Sequence, residues 1–167
     1  MLIIASSVMG KPIITDNTGE IVGKVADIIV SPETGQIVGF LSKLFLQNPL
    51  VVPEQDVLEV TKNKVIITDQ RALVTPETIP QIRNILQKKI KIINAKAVTL
   101  SGKKLGQVED FVIETNSASV VSFYIKGGWF LPNRILSADN VVKIEKDKII
   151  FENKILEAPG ASESVII

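Results

Sequence analysis

The 167-residue chain contains no cysteine and no histidine. The first absence removes disulfides, thiol nucleophiles and thiolate metal sites. The second removes the side chain that most often shuttles protons near neutral pH. What remains for chemistry is carboxylate, amine and hydroxyl. Only three arginines occur, Arg71, Arg83 and Arg134, and arginine is the preferred donor for bidentate contacts to phosphate and guanine. Sequence-specific reading of nucleic acid is therefore disfavoured. No apolar run approaches the roughly 18 residues of a spanning helix. The opening Met1-Leu2-Ile3-Ile4-Ala5 lacks the basic flank and the length of a secretion signal. The expectation is a cytoplasmic protein without a transmembrane segment, a cofactor or a metal. Aromatic residues are scarce at 5%, whereas hydrophobic residues reach 46% and are dominated by isoleucine and valine. β-Branched side chains suit pleated, half-buried surfaces, so sheet is expected.

The chain repeats itself after about 83 residues. Gly19, Val22, Gly23, Val25, Asp27, Val38 and Phe40 fall without a gap on Gly102, Leu105, Gly106, Val108, Asp110, Val121 and Phe123. After one extra residue near Gly127-Gly128, Val57, Val60, Lys62, Lys64 and Ile66 fall on Val141, Ile144, Lys146, Lys148 and Ile150. Such repetition defines the units of the fold. It gives a first lobe over 1–74, a connecting segment over 75–91, a second lobe over 92–157 and a tail over 158–167. Each lobe reads as strand, turn and strand, then a hairpin, then two further strand segments near 50–53 or 134–137 and a closing hairpin at 62–64 or 146–148. In the hairpin turn Ala118 replaces Gly35, which predicts a different turn geometry in the second copy. Lobes this small have marginal cores, so an apolar interface between them is expected.

Between the copies the period changes. Ile79, Ile82, Leu86 and Ile90 recur at helical spacing and predict a helix over about 79–90 with one apolar face. Thr78 and Gln81 have capping-box spacing, and Pro80 is tolerated in a first turn. Net charge is only +1, yet no acid occurs between Glu77 and Glu109, where Arg83, Lys88, Lys89, Lys91, Lys96, Lys103 and Lys104 are basic. A solvated helix face explains this arrangement. The functional alternative is a basic patch of Arg83, Lys88, Lys89, Lys91, Lys103 and Lys104 for an acidic protein, RNA or an anionic membrane.

The segments Ala5-Ser6-Ser7-Val8-Met9-Gly10-Lys11-Pro12-Ile13, Val22-Gly23-Lys24-Val25-Ala26-Asp27 and Thr34-Gly35-Gln36-Ile37-Val38-Gly39-Phe40, with Gly19 between, resemble the PRC-barrel family. The second copy matches more thinly, through Gly102, Leu105 to Asp110 and Val121 to Phe123. It has Asn94-Ala95-Lys96 where the first has Gly-Lys-Pro. The resemblance implies a mainly β protein of two small, mostly antiparallel barrels in tandem, joined by a short helix and used as docking modules. It supplies no catalytic residue.

The residues agree. Asp27 and Asp110 could form an acid–base pair only if they met between the lobes, and a role in holding nearby backbone N–H groups is the simpler reading. Gly19 to Lys24 fails phosphate-loop spacing, and Asp16 to Glu20 fails calcium-loop spacing. The candidate attachment residues are Trp129, Phe130 and Leu131 after Gly127-Gly128, with Leu44 and Phe45 at the same place in the first copy. Aromatic residues dominate interface hot spots. Apolar cover for a barrel mouth is the bland alternative. The tail ending in Val165-Ile166-Ile167 is either a frayed end or a strand for a neighbour's sheet. The reading that follows is a non-enzymatic adaptor or scaffold, of the kind used in cell division or membrane-complex assembly, that binds protein partners or itself. The alternative is an RNA- or ribosome-associated maturation factor using the basic patch.

Overall fold

A computed structural model describes residues 1–44 and 47–156. In chain order the elements are β1 (Leu2–Ile4), α1 (Ala5–Val8), β2 (Pro12–Thr15), β3 (Ile21–Val30), β4 (Ile37–Ser42), β5 (Leu50–Pro53), β6 (Val57–Val60) and β7 (Val65–Ile67). They are followed by α2 (Pro80–Gln87), β8 (Lys96–Thr99), β9 (Lys104–Glu114), β10 (Ser119–Lys126), β11 (Arg134–Ser137), β12 (Val141–Glu145) and β13 (Lys148–Phe151). The duplication is complete at the level of topology. The first sheet runs β5-β4-β3-β2-β7-β6 and the second β11-β10-β9-β8-β13-β12. Neighbours are antiparallel except for one parallel pair in each lobe, β2 with β7 and β8 with β13. Neither sheet closes on itself into a complete barrel.

Sequence alternation fixes which side faces inward. On β13, Ile149 and Phe151 are fully buried while Lys148 and Ile150 look the other way, as a period of two requires. Phe151 meets Phe123 of β10 edge to face, with ring centroids 5.8 Å apart. The matching turns close alike. The N–H of Asp16 donates to the Ile67 carbonyl and that of Leu100 to the Phe151 carbonyl, each at 2.8 Å.

The lobes share one core. Val8, Ile13, Phe40 and Val65 of the first half lie in the same apolar cluster as Phe111, Phe123, Ile149 and Phe151 of the second. Each such side chain stabilises by about 1.5–3 kcal/mol when fully buried, and sharing compensates for the small size of each unit. Two backbone contacts reinforce the joint. β1 leaves the first half and pairs with β9, setting Ile3 opposite Ile113. The hairpin turns of the two lobes also grip each other symmetrically. Val120 N–H donates to the Gly35 carbonyl at 3.0 Å and Ile37 N–H to the Ala118 carbonyl at 2.7 Å, around a bridge between Gln36 and Ser119. The expected difference between these turns is therefore absent. Gly35 has φ 70° and Ala118 has φ 48°. A left-handed alanine costs roughly 1–2 kcal/mol, and the hydrogen bond across the joint offsets part of that cost.

The helix is shorter than its periodicity predicted. It ends at Gln87, and Lys89 takes φ 53°. The expected capping box is also absent, because Thr78 lies in a 3-10 turn and donates its hydroxyl to the Thr75 carbonyl at 2.7 Å. Ile82 and Ile85 pack on Ile29 and Val51, on the outer side of the first sheet, with Leu41, Leu86 and Ile90 around them. Gly39 permits this approach. A Cβ there would lie 3.1 Å from Ile82 Cδ1 and 2.7 Å from the Val52 carbonyl oxygen.

Candidate attachment surfaces

Trp129 and Phe130 are 99% and 98% exposed, so they cover neither a barrel mouth nor the joint between lobes. They form the tip of the β10–β11 loop, whose base is tightly built. Gly127 N–H donates to Asn133 Oδ1 at 3.0 Å, and a Cβ on Gly127 would run into the carbonyls of Leu131 and Pro132. Gly106 of β9 lies against the Lys126 carbonyl and Gly127, where a Cβ would likewise have no room. Leu131, at the inner end of the tip, is half-buried. In the first lobe Leu44 occupies the matching β4–β5 connection at 39% exposure, and Phe45 lies outside the described residues, as do residues 158–167 of the tail.

Two residues that the sequence alone did not single out belong to the same corner. Leu100, on the β8–β9 turn, is 62% exposed, and Lys126 is exposed at the end of β10, where it pairs with Gln107. Lys103 and Lys104 stand on that turn, two or three residues from Gly106. Neither stretch, residues 100–108 or 120–137, contains an acid. Glu152, just beyond β13, is engaged by Lys154 at 2.7 Å. At the base of the loop, the Arg134 Nε–H is buried without an acceptor. The repeat alignment held part of the signal, setting Lys103 where the first lobe has Glu20; Leu100 matches Asp16 only through their equivalent backbone bonds to Phe151 and Ile67.

The six residues of the basic patch divide. Arg83, Lys88, Lys89 and Lys91 stand exposed on α2 and the segment after it, with Lys88 Nζ 3.8 Å from Glu33. Lys103 and Lys104 stand on the β8–β9 turn of the other lobe.

Asp27 and Asp110 hold backbone. Asp27 accepts the Ile28 N–H and Asp110 the Phe111 N–H, each at 2.8 Å, and neither bonds the other. Asp110 also accepts the Ser6 N–H of α1 at 3.1 Å. Asp27 has no such second donor and borders a cavity of about 240 Å³ lined by Ile85, Leu86, Lys91 and Phe111. Burial pushes its carboxyl above the usual range, an effect opposed by the Ile28 hydrogen bond and, less strongly, by the charge of Lys91. Among the described residues no three acidic side chains converge to hold a metal ion, and no helix is long and apolar enough to cross a membrane.

The second copy manages without the Gly-Lys-Pro opening because Asn94 stands in for Gly10. Their φ values are 69° and 76°, and each N–H reaches its β9 or β3 carbonyl, Val108 or Val25, at 2.8 Å. A search of curated proteins returned no match. The PRC-barrel domain model matches residues 2–74 and again residues 91–155. That domain is a general β fold, frequent in adaptor and scaffold proteins and generally without catalytic activity. With both halves matched and both sheets in the same strand order, the chain belongs to the PRC-barrel domain family, which it contains twice in tandem.

Proposed function

We propose that this chain is a non-enzymatic adaptor, in which two fused PRC-barrel units form a rigid body and the β10–β11 corner of the second unit is the attachment surface. The observation that carries the reading is the pair Trp129 and Phe130, held out on a glycine-closed base with almost their whole surface in solvent. Large aromatic groups exposed side by side are costly to leave in water and effective as anchors. Among the described residues no group of side chains assembles a nucleophile, a base and an orienting partner, so the reading includes no reaction.

The RNA alternative draws on the basic patch, but its six side chains divide between α2 with its following segment and the turn of the second lobe. With three arginines in the chain, recognition through bidentate contacts has little to work with.

The test is affinity capture from the native cell with the wild-type chain and with a Trp129→Ser, Phe130→Ser variant. Both side chains are exposed, so the variant keeps the fold, which circular dichroism verifies. Loss of about tenfold or more of the captured partners is expected, corresponding to roughly 1.4 kcal/mol or more of hot-spot energy. Identical capture by the two proteins refutes a protein-capture role for this corner.

A further inference from the structure

We infer that the β10–β11 corner attaches to the surface of an anionic lipid bilayer, an inference that rests on that corner being the attachment surface. Shape is the first reason. Trp129 and Phe130 project from a pinched loop at 99% and 98% exposure. A protein partner would need a matching pocket to desolvate such a projecting tip, because hot-spot residues work at the enclosed centre of an interface. A bilayer needs none. Tryptophan and phenylalanine insert readily at the level where headgroups meet acyl chains.

Charge is the second reason. Lys126 ends the strand that leads into the tip, Lys103 and Lys104 precede Gly106, whose backbone lies against Lys126 and Gly127, and Leu100, 62% exposed, adds a second apolar point on that β8–β9 turn. No acid interrupts residues 100–108 or 120–137. Lysine is a flexible point charge suited to a diffuse anionic surface, whereas paired recognition of a single phosphate or carboxylate favours arginine. Stable peripheral attachment takes two signals, an apolar insertion and a basic contact, and this corner has both. The first lobe is the internal control. Its matching turn has Asp16 and Glu20 beside Lys24 and Lys43, so the same fold there presents mixed charge.

Trp129 is the only tryptophan in the chain, so intrinsic fluorescence reports directly on this tip. The full chain is mixed with vesicles of phosphatidylcholine containing about 30% phosphatidylserine, with pure phosphatidylcholine vesicles, and with a mixed-sequence RNA, in salt of about 0.1 M and about 0.5 M, where screening differs strongly. A blue shift of Trp129 emission and co-sedimentation with the anionic vesicles are expected, weakened by at least about tenfold at the higher salt. Sedimentation should fall by a similar factor in Lys103→Glu, Lys104→Glu and in Trp129→Ser, Phe130→Ser. Failure to sediment with anionic vesicles overturns the proposal, as does equal binding to neutral ones. Salt-sensitive RNA binding with vesicles ignored also overturns it and assigns the lysines to nucleic acid. If vesicles are ignored while the aromatic variant still loses protein partners, the adaptor reading stands and the lipid assignment falls. If vesicles bind and capture is unchanged in that variant, the lipid assignment stands and the protein-capture role of this corner falls.

Discussion

At one corner of the fold the first lobe presents Asp16 and Glu20, and the second presents Leu100 and Lys103 on a turn closed by the same backbone bonds. Nearby, Thr15 and Thr99 are buried at matching positions, and each hydroxyl bonds the hydroxyl of a turn residue, Thr18 at 2.6 Å or Ser101 at 3.0 Å. Duplication has preserved the hydrogen-bonded frame and changed the solvent-facing positions. Side chains that recur in both halves are thus candidates for holding the fold, and those that differ are candidates for use. The same contrast appears on the outer sheet surface. Gly39 of the first lobe lies under Ile82 of α2, while its second-lobe match, Ser122, has no comparable helix over it among the described residues.

Five substitutions test this comparison. The largest effect is expected from Ile3→Asp, which places a charge in the shared core at a position 5% exposed. It should cost about 3–5 kcal/mol, the range for an unpaired buried charge. It should also lower a single unfolding transition of both lobes in urea. Two transitions, with only one displaced, would mean that the lobes are independent.

Next, Gly39→Ala should cost about 1–3 kcal/mol because its Cβ has no room beneath α2, whereas Ser122→Ala should stay within about 0.5 kcal/mol. Similar losses in thermal melts would remove the asymmetry between the two outer faces. The smallest effect concerns the paired acids. Asp110→Ala forfeits two backbone hydrogen bonds and should cost about 1–2 kcal/mol. Asp27→Ala forfeits one and relieves a buried carboxylate, so its cost should be lower.

Asp27 also gives stability a pH dependence. The folded-state pKa of Asp27 lies above its unfolded value, so the native protein holds that proton more tightly. Stability attributable to this group therefore falls as pH rises from about 4, the unfolded value, through the folded one. Melting at a series of pH values should show that decline diminished in Asp27→Ala. An unchanged slope would refute the burial effect.

Local chemistry made the lobes legible. Turn residues, β-branched runs and the 83-residue recurrence specify each strand without reference to distant partners. The pairing of β1 was not legible, because Leu2-Ile3-Ile4 suits any sheet edge and its partner lies more than a hundred residues away. The Ala118 turn misled because residue type suggests a preferred φ, while the hydrogen bond across the joint holds the alanine in the other hand. The helix stripe also omitted Ile85, which is 5% exposed against the first sheet. At the proposed attachment corner the aromatic tip announced itself after two glycines, but Leu100 and Lys126 are separated in sequence and belong to one sheet edge region only through the β8–β9–β10 strand order.

The reach of β1 has a consequence for synthesis. Ile3 finds Ile113 only after the second lobe's long hairpin strand has been made. At roughly 5–20 residues per second, the opening apolar strand waits about 5–20 seconds with no edge to join. During that interval the nascent chain carries an unpaired apolar strand, and this hazard of mispairing falls before the second sheet is complete.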